Sequence, residues 1–129
     1  MKRLLYIGEQ PRKVTNGGDW INRRNLLALQ YIYSSHLKLF NVRCNNKLIT
    51  LLNLLNNYML GLSMHITSVI FRLIKKEKIE IVFLSSSRYG KLARKIKKRF
   101  PHIRIAIFFH NIEKQYVVEE YRVNPSLKK

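Results

Sequence analysis

Acidic side chains are scarce in this chain. Seven Asp and Glu stand against 25 Lys and Arg in 129 residues, which gives a formal net charge of +18. Eleven of the basic residues fall between Lys75 and Arg104, where only two glutamates accompany them, so this stretch supplies half of the net charge. Such an excess predicts an anionic partner surface: nucleic acid, phospholipid or a phosphorylated substrate.

Cysteine and signal-like segments are also lacking. The single cysteine, Cys44, cannot form an internal disulfide, and no charged, apolar and small-residue sequence opens the chain. Both observations predict a reducing, cytoplasmic location. A hydrophobic fraction of 47% excludes wholesale disorder, and the length with no low-complexity linker predicts a single domain over residues 1–129.

Several motifs that carry chemistry are absent. The chain has no GxGxxG or P-loop and no Gly-x-Ser-x-Gly nucleophile elbow, and its histidines are not at metal-ligand spacing. We therefore expect no metal and no cofactor. The serines at 85–87 are expected to cap the following helix rather than to supply a nucleophile.

What the chain does have is a repeated strand and helix pattern. Two continuous apolar runs joined through a helix, within Ile79–Glu113, are typical of a parallel sheet buried on both faces. The predicted strands are Arg3–Gly8, Leu37–Val42, Ile79–Leu84 and Ile103–Phe109. The predicted helices are Trp20–Ser34 with Asp19 as N-cap, two within Leu48–Leu73, Tyr89–Phe100 and Glu113–Arg122. This order predicts an α/β fold: a doubly wound, mostly parallel, Rossmann-like sheet flanked by helices.

Two features of that pattern need interpretation. The longest apolar stretch, Leu48–Leu73, contains Asn, His and Arg; we predict two helices broken near Gly61 and packed on the sheet, with a membrane span as the alternative. The chain stops seven residues after the last predicted helix. Because that helix needs a sheet face to cover, we expect a domain that lacks its final strand and helix units.

Ligands of parallel sheets bind at the carboxyl ends of the strands. The last predicted strand, taken as central, ends there with His110 and Asn111, and Glu113 is close enough in sequence to hold the imidazole. A near-neutral pKa suits His110 to hydrogen bonding or proton transfer; a buried histidine that caps the strand is the alternative.

A glycine pair, Gly17 and Gly18, follows the first strand and precedes a helix. Helix N-termini offer free N–H groups to a phosphate, and Arg23, further along this helix, could pair with that phosphate bidentately. A turn that needs glycine, and a solvated arginine, are the alternatives.

The helix predicted over Tyr89–Phe100 has an apolar face that must pack on the sheet, so it does not insert into lipid. Its opposite side is basic and could dock on an anionic leaflet, with simple solvation as the alternative. The residues expected to face the membrane are Lys91, Arg94, Lys95 and Lys98.

Three features of the chain resemble the N-terminal domain of family 4 glycosyltransferases of the GT-B fold. They are the early strand, the Gly-Gly loop with arginines after it, and the block from IEIVFLSSS to FFHNIEKQY. The resemblance is to bacterial members of capsule, exopolysaccharide and lipopolysaccharide synthesis. It implies an acceptor-binding domain for a glycan, often lipid-linked, peripheral to the inner face of the cell membrane. It also implies that His110 is catalytic, near the transferred sugar, and that the loop with Gly17 and Gly18 approaches the donor diphosphate. We expect Arg23, Asn111 and Glu113 to bind the donor diphosphate or the acceptor with them.

The chain departs from that family in one respect. The family's C-terminal domain grips the nucleotide sugar and bears a Glu-x7-Glu motif, whereas no acidic residue here has a glutamate eight positions later. The resemblance therefore implies a half-enzyme that meets the nucleotide-sugar donor only with a further domain or partner chain, and that transfers no sugar unaided.

A basic nucleic-acid-binding module is the alternative function, and a receiver-like regulatory domain is a third. The charge favours nucleic acid, but the aromatic residues fall mostly inside predicted strands and helices, and no nucleic-acid motif appears. We therefore expect no nucleic-acid partner. A receiver needs acidic residues after its first and third strands, where this chain has Glu9 and serines.

Overall fold

A computed structural model of the chain describes residues 1–10, 13–42 and 62–109, together with the helical leucines 48, 51, 52 and 55. Within these residues the chain forms one four-stranded, all-parallel sheet, in the order β2-β1-β3-β4. The elements in chain order are β1 (Leu4–Gly8), α1 (Gly17–Tyr33), β2 (Leu37–Asn41), α2 (Met64–Lys76), β3 (Ile81–Leu84), α3 (Gly90–Arg99) and β4 (Arg104–Ile107). The predicted α/β parallel fold is confirmed.

The strand order reverses beside β1. The chain moves from β1 outward to β2, then returns across β1 to β3 and continues to β4. Right-handed connections require α1 to lie on one face of the sheet and α2 and α3 on the other. The carboxyl ends of β1 and β3 therefore form a topological switch point, the position at which open α/β sheets bind ligands.

The hydrophobic core lies between the sheet and the pair α2 and α3. Alternation along the strands places Leu5 and Ile7 of β1 on this face, beside Val82 and Leu84 of β3. The helices contribute buried side chains at helical spacing: Ile70, Ile74, Leu92 and Ile96. Burial of these apolar groups is the main source of stability for the fold.

The opposite face of the sheet is less completely covered. Tyr6 of β1 is buried there and stacks on Phe83 of β3, with ring centroids 5.6 Å apart. The helix on this side, α1, has no buried residue. In β4, Arg104 and Ala106 are exposed, and β4 is an edge strand of the described sheet. The prediction that this strand is central and buried on both faces is wrong for the described residues.

The predicted N-cap of α1 is also wrong. Asn16 rather than Asp19 caps the helix, because the Asn16 side-chain oxygen accepts a 2.9 Å hydrogen bond from the backbone N–H of Asp19. The Asp19 carboxylate reaches back and accepts from the N–H and the hydroxyl of Thr15, at 3.0 and 2.7 Å. This arrangement is a variant of the capping box in which the carboxylate accepts from the residue before the cap. The helix therefore starts at Gly17, and both glycines lie inside its first turn.

Replacing Asn16 with alanine is expected to lower the free energy of unfolding by about 1 kcal/mol, because the Asp19 N–H loses its acceptor. Chemical denaturation followed by circular dichroism measures the change. Asn16→Ser is the matched control, since serine is an equally good N-cap. Equal stabilities of the two variants would show that this cap does not hold the start of α1.

The other element boundaries lie within three residues of those predicted. A short 3-10 turn, Ser87–Tyr89, precedes α3, and Ser86 caps this turn by accepting from the N–H of Arg88. The N-cap position of α3 itself is Tyr89, which makes no side-chain cap hydrogen bond, so the expectation that the serines cap this helix is wrong. Met64–Lys76 is the second helix predicted in the long apolar stretch, whereas Gly61 and the helix predicted over 113–122 lie outside the described residues. In the described part of the chain, every helix is too short or too polar to cross a bilayer.

Candidate functional site

A crevice of about 330 Å³ opens where β1 and its following loop meet the first turns of α1. From the strand side it is lined by Tyr6 with Glu9 and Gln10, which directly follow β1. From α1 it is lined by Asn22, Arg23, Leu26 and Leu27. The crevice thus lies at the carboxyl end of β1, beside the switch point with β3, where the topology of the sheet predicts a ligand site.

Two amide groups in this crevice have unused hydrogen-bonding capacity. Gln10 Nε2 and Asn22 Oδ1 are buried from solvent and have no hydrogen-bond partner in the part of the chain that the structure describes. The Gln10 backbone is fixed, because its N–H donates to Asn41 Oδ1 at 3.2 Å, at the end of β2. A buried polar atom without a partner costs free energy. One donor and one acceptor at the same crevice suit a ligand that carries hydroxyl groups.

The floor of the crevice is a buried tyrosine. Burial raises the pKa of Tyr6 above its usual value of 10.0, and a hydrogen bond with Ser85 opposes this effect. Tyr6 is therefore neutral at physiological pH, and its ring presents an apolar surface beside the amides. Ser85 is itself buried and directly follows β3, so the hydrogen bond joins the two strands of the switch point.

Arg23 brings the positive charge to this site. Its side chain is exposed at the crevice, and none of residues 20–36, from α1 to the start of β2, is acidic. The nearest acidic residue in the sequence, Asp19, is held in the capping box, where the hydrogen bonds from Thr15 lower the pKa of its carboxyl group. Glu9 brings a carboxylate to the same crevice, but Arg23 forms no ion pair with it or with any other described residue, so Arg23 is available to a phosphate or carboxylate there.

Gly17 and Gly18 lie in the first turn of α1, one to two turns before Arg23. Neither has a positive φ, and a side chain at position 17 would meet nothing within 4 Å, so the turn does not require glycine there. Their N–H groups have no hydrogen-bond partner within the described ranges. The two glycines leave the backbone at the start of α1 open, but they do not line the crevice among the described residues.

The remaining predicted residues of the carboxyl edge, His110, Asn111 and Glu113, lie outside the described residues. What the structure does describe is the strand that leads to them. β4 runs parallel to β3, and the N–H that follows it, on Phe108, donates to the carbonyl of Leu84 at 2.9 Å. The chain therefore reaches the same edge of the sheet as the crevice, two strands from β1, a separation of about 10 Å.

The basic stripe on α3 faces away from the core, as its spacing predicts. Arg94 and Lys98 are exposed, and Lys91 and Lys95 are half-buried on the same side of the helix. Lys97 lies outside this stripe and donates to the carbonyl oxygens of Pro101 and Ile103, at 2.8 and 2.9 Å. The role of the stripe at a membrane stays a prediction.

Sequence reasoning missed the amides that make the crevice polar. Gln10 and Asn22 carry no motif, and only the fold shows that the loop after β1 and the second turn of α1 face each other. Over the described ranges, no group of three His, Cys, Asp or Glu residues could hold a metal ion. Comparison of the chain with protein-family models, curated proteins and solved structures gives no match.

Proposed function

We propose that this chain is the acceptor-side half of a glycosyltransferase, and that its crevice binds the sugar phosphate part of a nucleotide sugar or of a lipid-linked glycan. Sugar transfer from a nucleotide diphosphate sugar needs a second, donor-binding domain or chain, so this chain alone binds without turnover. The resemblance described above supplies the reaction class. The crevice supplies the chemistry of recognition.

The observation that carries the proposal is the combination of Arg23 with two unpaired amides at the switch point, in a lining that also contains the carboxylate of Glu9. A sugar phosphate offers an anion and a ring of hydroxyl groups. Arg23 pairs with the phosphate oxygens, while Gln10 Nε2 donates to a hydroxyl oxygen and Asn22 Oδ1 accepts from a hydroxyl group.

The glycine pair and the residues after β4 complete the proposed roles. The open N–H groups of Gly17 and Gly18 approach the donor diphosphate, because a helix N-terminus attracts negative charge. His110, Asn111 and Glu113 keep the roles implied by the resemblance, with the imidazole near the transferred sugar. These residues follow β4, which ends at the same edge of the sheet as the crevice.

Replacing Arg23 with glutamine is expected to weaken the binding of glucose 1-phosphate about tenfold to a hundredfold, because a charge-assisted hydrogen bond to the phosphate is lost. Isothermal titration calorimetry on the full chain measures the dissociation constants. Arg94→Gln is the matched control: it removes the same charge from an exposed helix position on the other face of the sheet. This control is expected to bind like the parent.

Two further ligands make the experiment selective. Inorganic phosphate has the anion but no sugar ring, and glucose has the hydroxyl groups but no phosphate. Each is therefore expected to bind more weakly than glucose 1-phosphate. Equal losses in Arg23→Gln and Arg94→Gln, or equal binding of inorganic phosphate and glucose 1-phosphate, would mean that net charge alone attracts the ligand. Either result would contradict the proposal.

A further inference from the structure

The helix α1 has an unusual distribution of side chains. Asn22 and Asn25 each carry a buried polar atom with no partner within the described ranges, whereas Trp20, Leu27 and Tyr31 are 64%, 56% and 91% exposed. The three exposed residues recur at intervals of seven and four, so they lie on one side of the helix. We call this set the outer face of α1. A helix that is apolar on its outer face is built to contact a second apolar surface.

The charges beside the outer face indicate what that surface is. Arg23 and Arg24 flank it and, with Trp20 and Leu27, line a shallow hollow of about 520 Å³ on α1. Because residues 20–36 contain no acidic side chain, two copies that met symmetrically through this face would place arginines against arginines. An anionic surface would complement them instead.

We propose that the outer face of α1 lies in the interface of an anionic phospholipid bilayer. Helices that lie in a bilayer interface combine arginine or lysine with tryptophan and leucine, and tryptophan and tyrosine prefer the depth of the headgroups. Trp20, Leu27 and Tyr31 enter the interface, and Arg24 pairs with lipid phosphates. This surface borders the crevice, since Arg23 and Leu27 line both, but its proposed occupant is a bilayer rather than a sugar phosphate.

Contact through α1 fixes the orientation of the domain relative to the bilayer. The helix α1 covers one face of the sheet, and α3 with its basic stripe covers the other. A flat bilayer therefore cannot contact both. The apolar side chains select α1, so that Arg94 and Lys98 of α3 point away from the membrane. The prediction from sequence places the membrane on the α3 side, and the two orientations are distinguishable.

Trp20 is the only tryptophan in the chain, so its fluorescence reports on the outer face of α1 alone. On mixing with vesicles of phosphatidylcholine and phosphatidylglycerol, we expect its emission to move to shorter wavelength and to be protected from acrylamide quenching. Pure phosphatidylcholine vesicles are expected to give a much smaller change. Co-sedimentation with the same vesicles measures total binding.

The double variant Leu27→Ser and Tyr31→Ser is expected to lose at least about tenfold in partition to the anionic vesicles, since two apolar contacts are removed. Arg94→Gln with Lys98→Gln is the control on α3 and is expected to keep the Trp20 shift. Because Leu27 and Tyr31 are exposed, the first variant should keep the parent circular dichroism spectrum and unfolding midpoint, which separates lost binding from lost fold.

Each other outcome overturns the inference. Co-sedimentation without a change at Trp20 would place the lipid contact elsewhere, and loss of binding in the α3 variant would assign it to that helix. A Trp20 shift that follows protein concentration without vesicles would show a second copy on this face. No binding to anionic vesicles would also contradict it. Vesicle binding and the glucose 1-phosphate titration are separate measurements, so either can fail without the other, although Leu27 lies at the edge of both surfaces.

Discussion

Replacement of Leu92 with alanine is expected to lower the free energy of unfolding by about 3 kcal/mol, the largest effect of any substitution considered for this protein. Leu92 is fully buried, in the first turn of α3, and it belongs to the core that α2 and α3 form with the sheet. Removal of a buried leucine side chain costs its transfer free energy and leaves a cavity in a close-packed interior, typically about 2–5 kcal/mol. Native domains have only about 5–15 kcal/mol of stability in total.

Leu27→Ala is the matched control for this prediction. It is the same substitution in a helix, but Leu27 lies on the outer face of α1 and is more than half exposed. We expect it to change the free energy of unfolding by less than about 0.5 kcal/mol. Urea denaturation of the parent and both variants measures the two differences. Similar losses in the two variants would contradict the assignment of the core to the α2 and α3 side of the sheet.

Replacement of Gly8 with alanine is expected to cost about 1–3 kcal/mol of stability, the range for overpacking in a well-packed interior. Gly8 is the last residue of β1. A methyl group at this position would overlap the hydroxyl of the buried Ser85, lie 2.7 Å from Ser85 Cβ, and approach the Tyr6 ring at 3.2 Å. Ser85 must move to accommodate this methyl group. Its movement disrupts the hydrogen bond with Tyr6, which joins β1 to β3 at the switch point.

The cause of this loss can be isolated with two further variants. Ser85→Gly removes the side chain that the new methyl group would meet, so the double variant Gly8→Ala with Ser85→Gly should be more stable than the sum of the two single changes predicts, by about 1 kcal/mol or more. Gly17→Ala is the glycine control, because nothing lies within 4 Å of its added methyl group; alanine is expected to be neutral or slightly stabilising there. Additive losses, or an equal loss at position 17, would argue against the close packing of Gly8 on Ser85.

The sheet could be predicted from sequence because hydrophobic runs report burial directly. The segments Leu4–Gly8 and Ile81–Leu84 read as continuous apolar runs, and they are neighbours at the centre of the described sheet. The run that becomes β4 looks equally apolar, but alternate residues of that strand are exposed. Sequence alone does not show which strand is an edge strand, because that depends on how the crossovers place the strands.

The start of α1 could not be predicted to the residue, for a physical reason. Asn16 and Asp19 are both good N-cap residues, and a capping box uses both at once: one as the cap and the other as the third helical residue. Which of the two residues is the N-cap depends on the conformation of the two glycines between them. Here the two glycines take helical conformation, so the helix begins before Asp19 rather than after it.

The candidate site was predictable only in part. The rule that ligands bind at the carboxyl ends of parallel strands indicated the edge at which the crevice lies, and Arg23 lines the crevice there. Gln10 and Asn22 carry no sequence signal, since only the fold brings the loop after β1 and the second turn of α1 to the same crevice. His110, Asn111 and Glu113 stay predictions from the resemblance.

The central claim is that a sugar phosphate binds between the loop after β1 and the first turns of α1. The most direct test is a titration of the isotope-labelled full chain with glucose 1-phosphate, followed by backbone amide chemical shifts in NMR spectra. We predict that the shifts concentrate in Gly8–Gln10, Gly17–Leu27 and Ser85–Ser87. Shifts confined to the lysines and arginines of α3, or scattered over the basic surface without a maximum at the crevice, would contradict the claim.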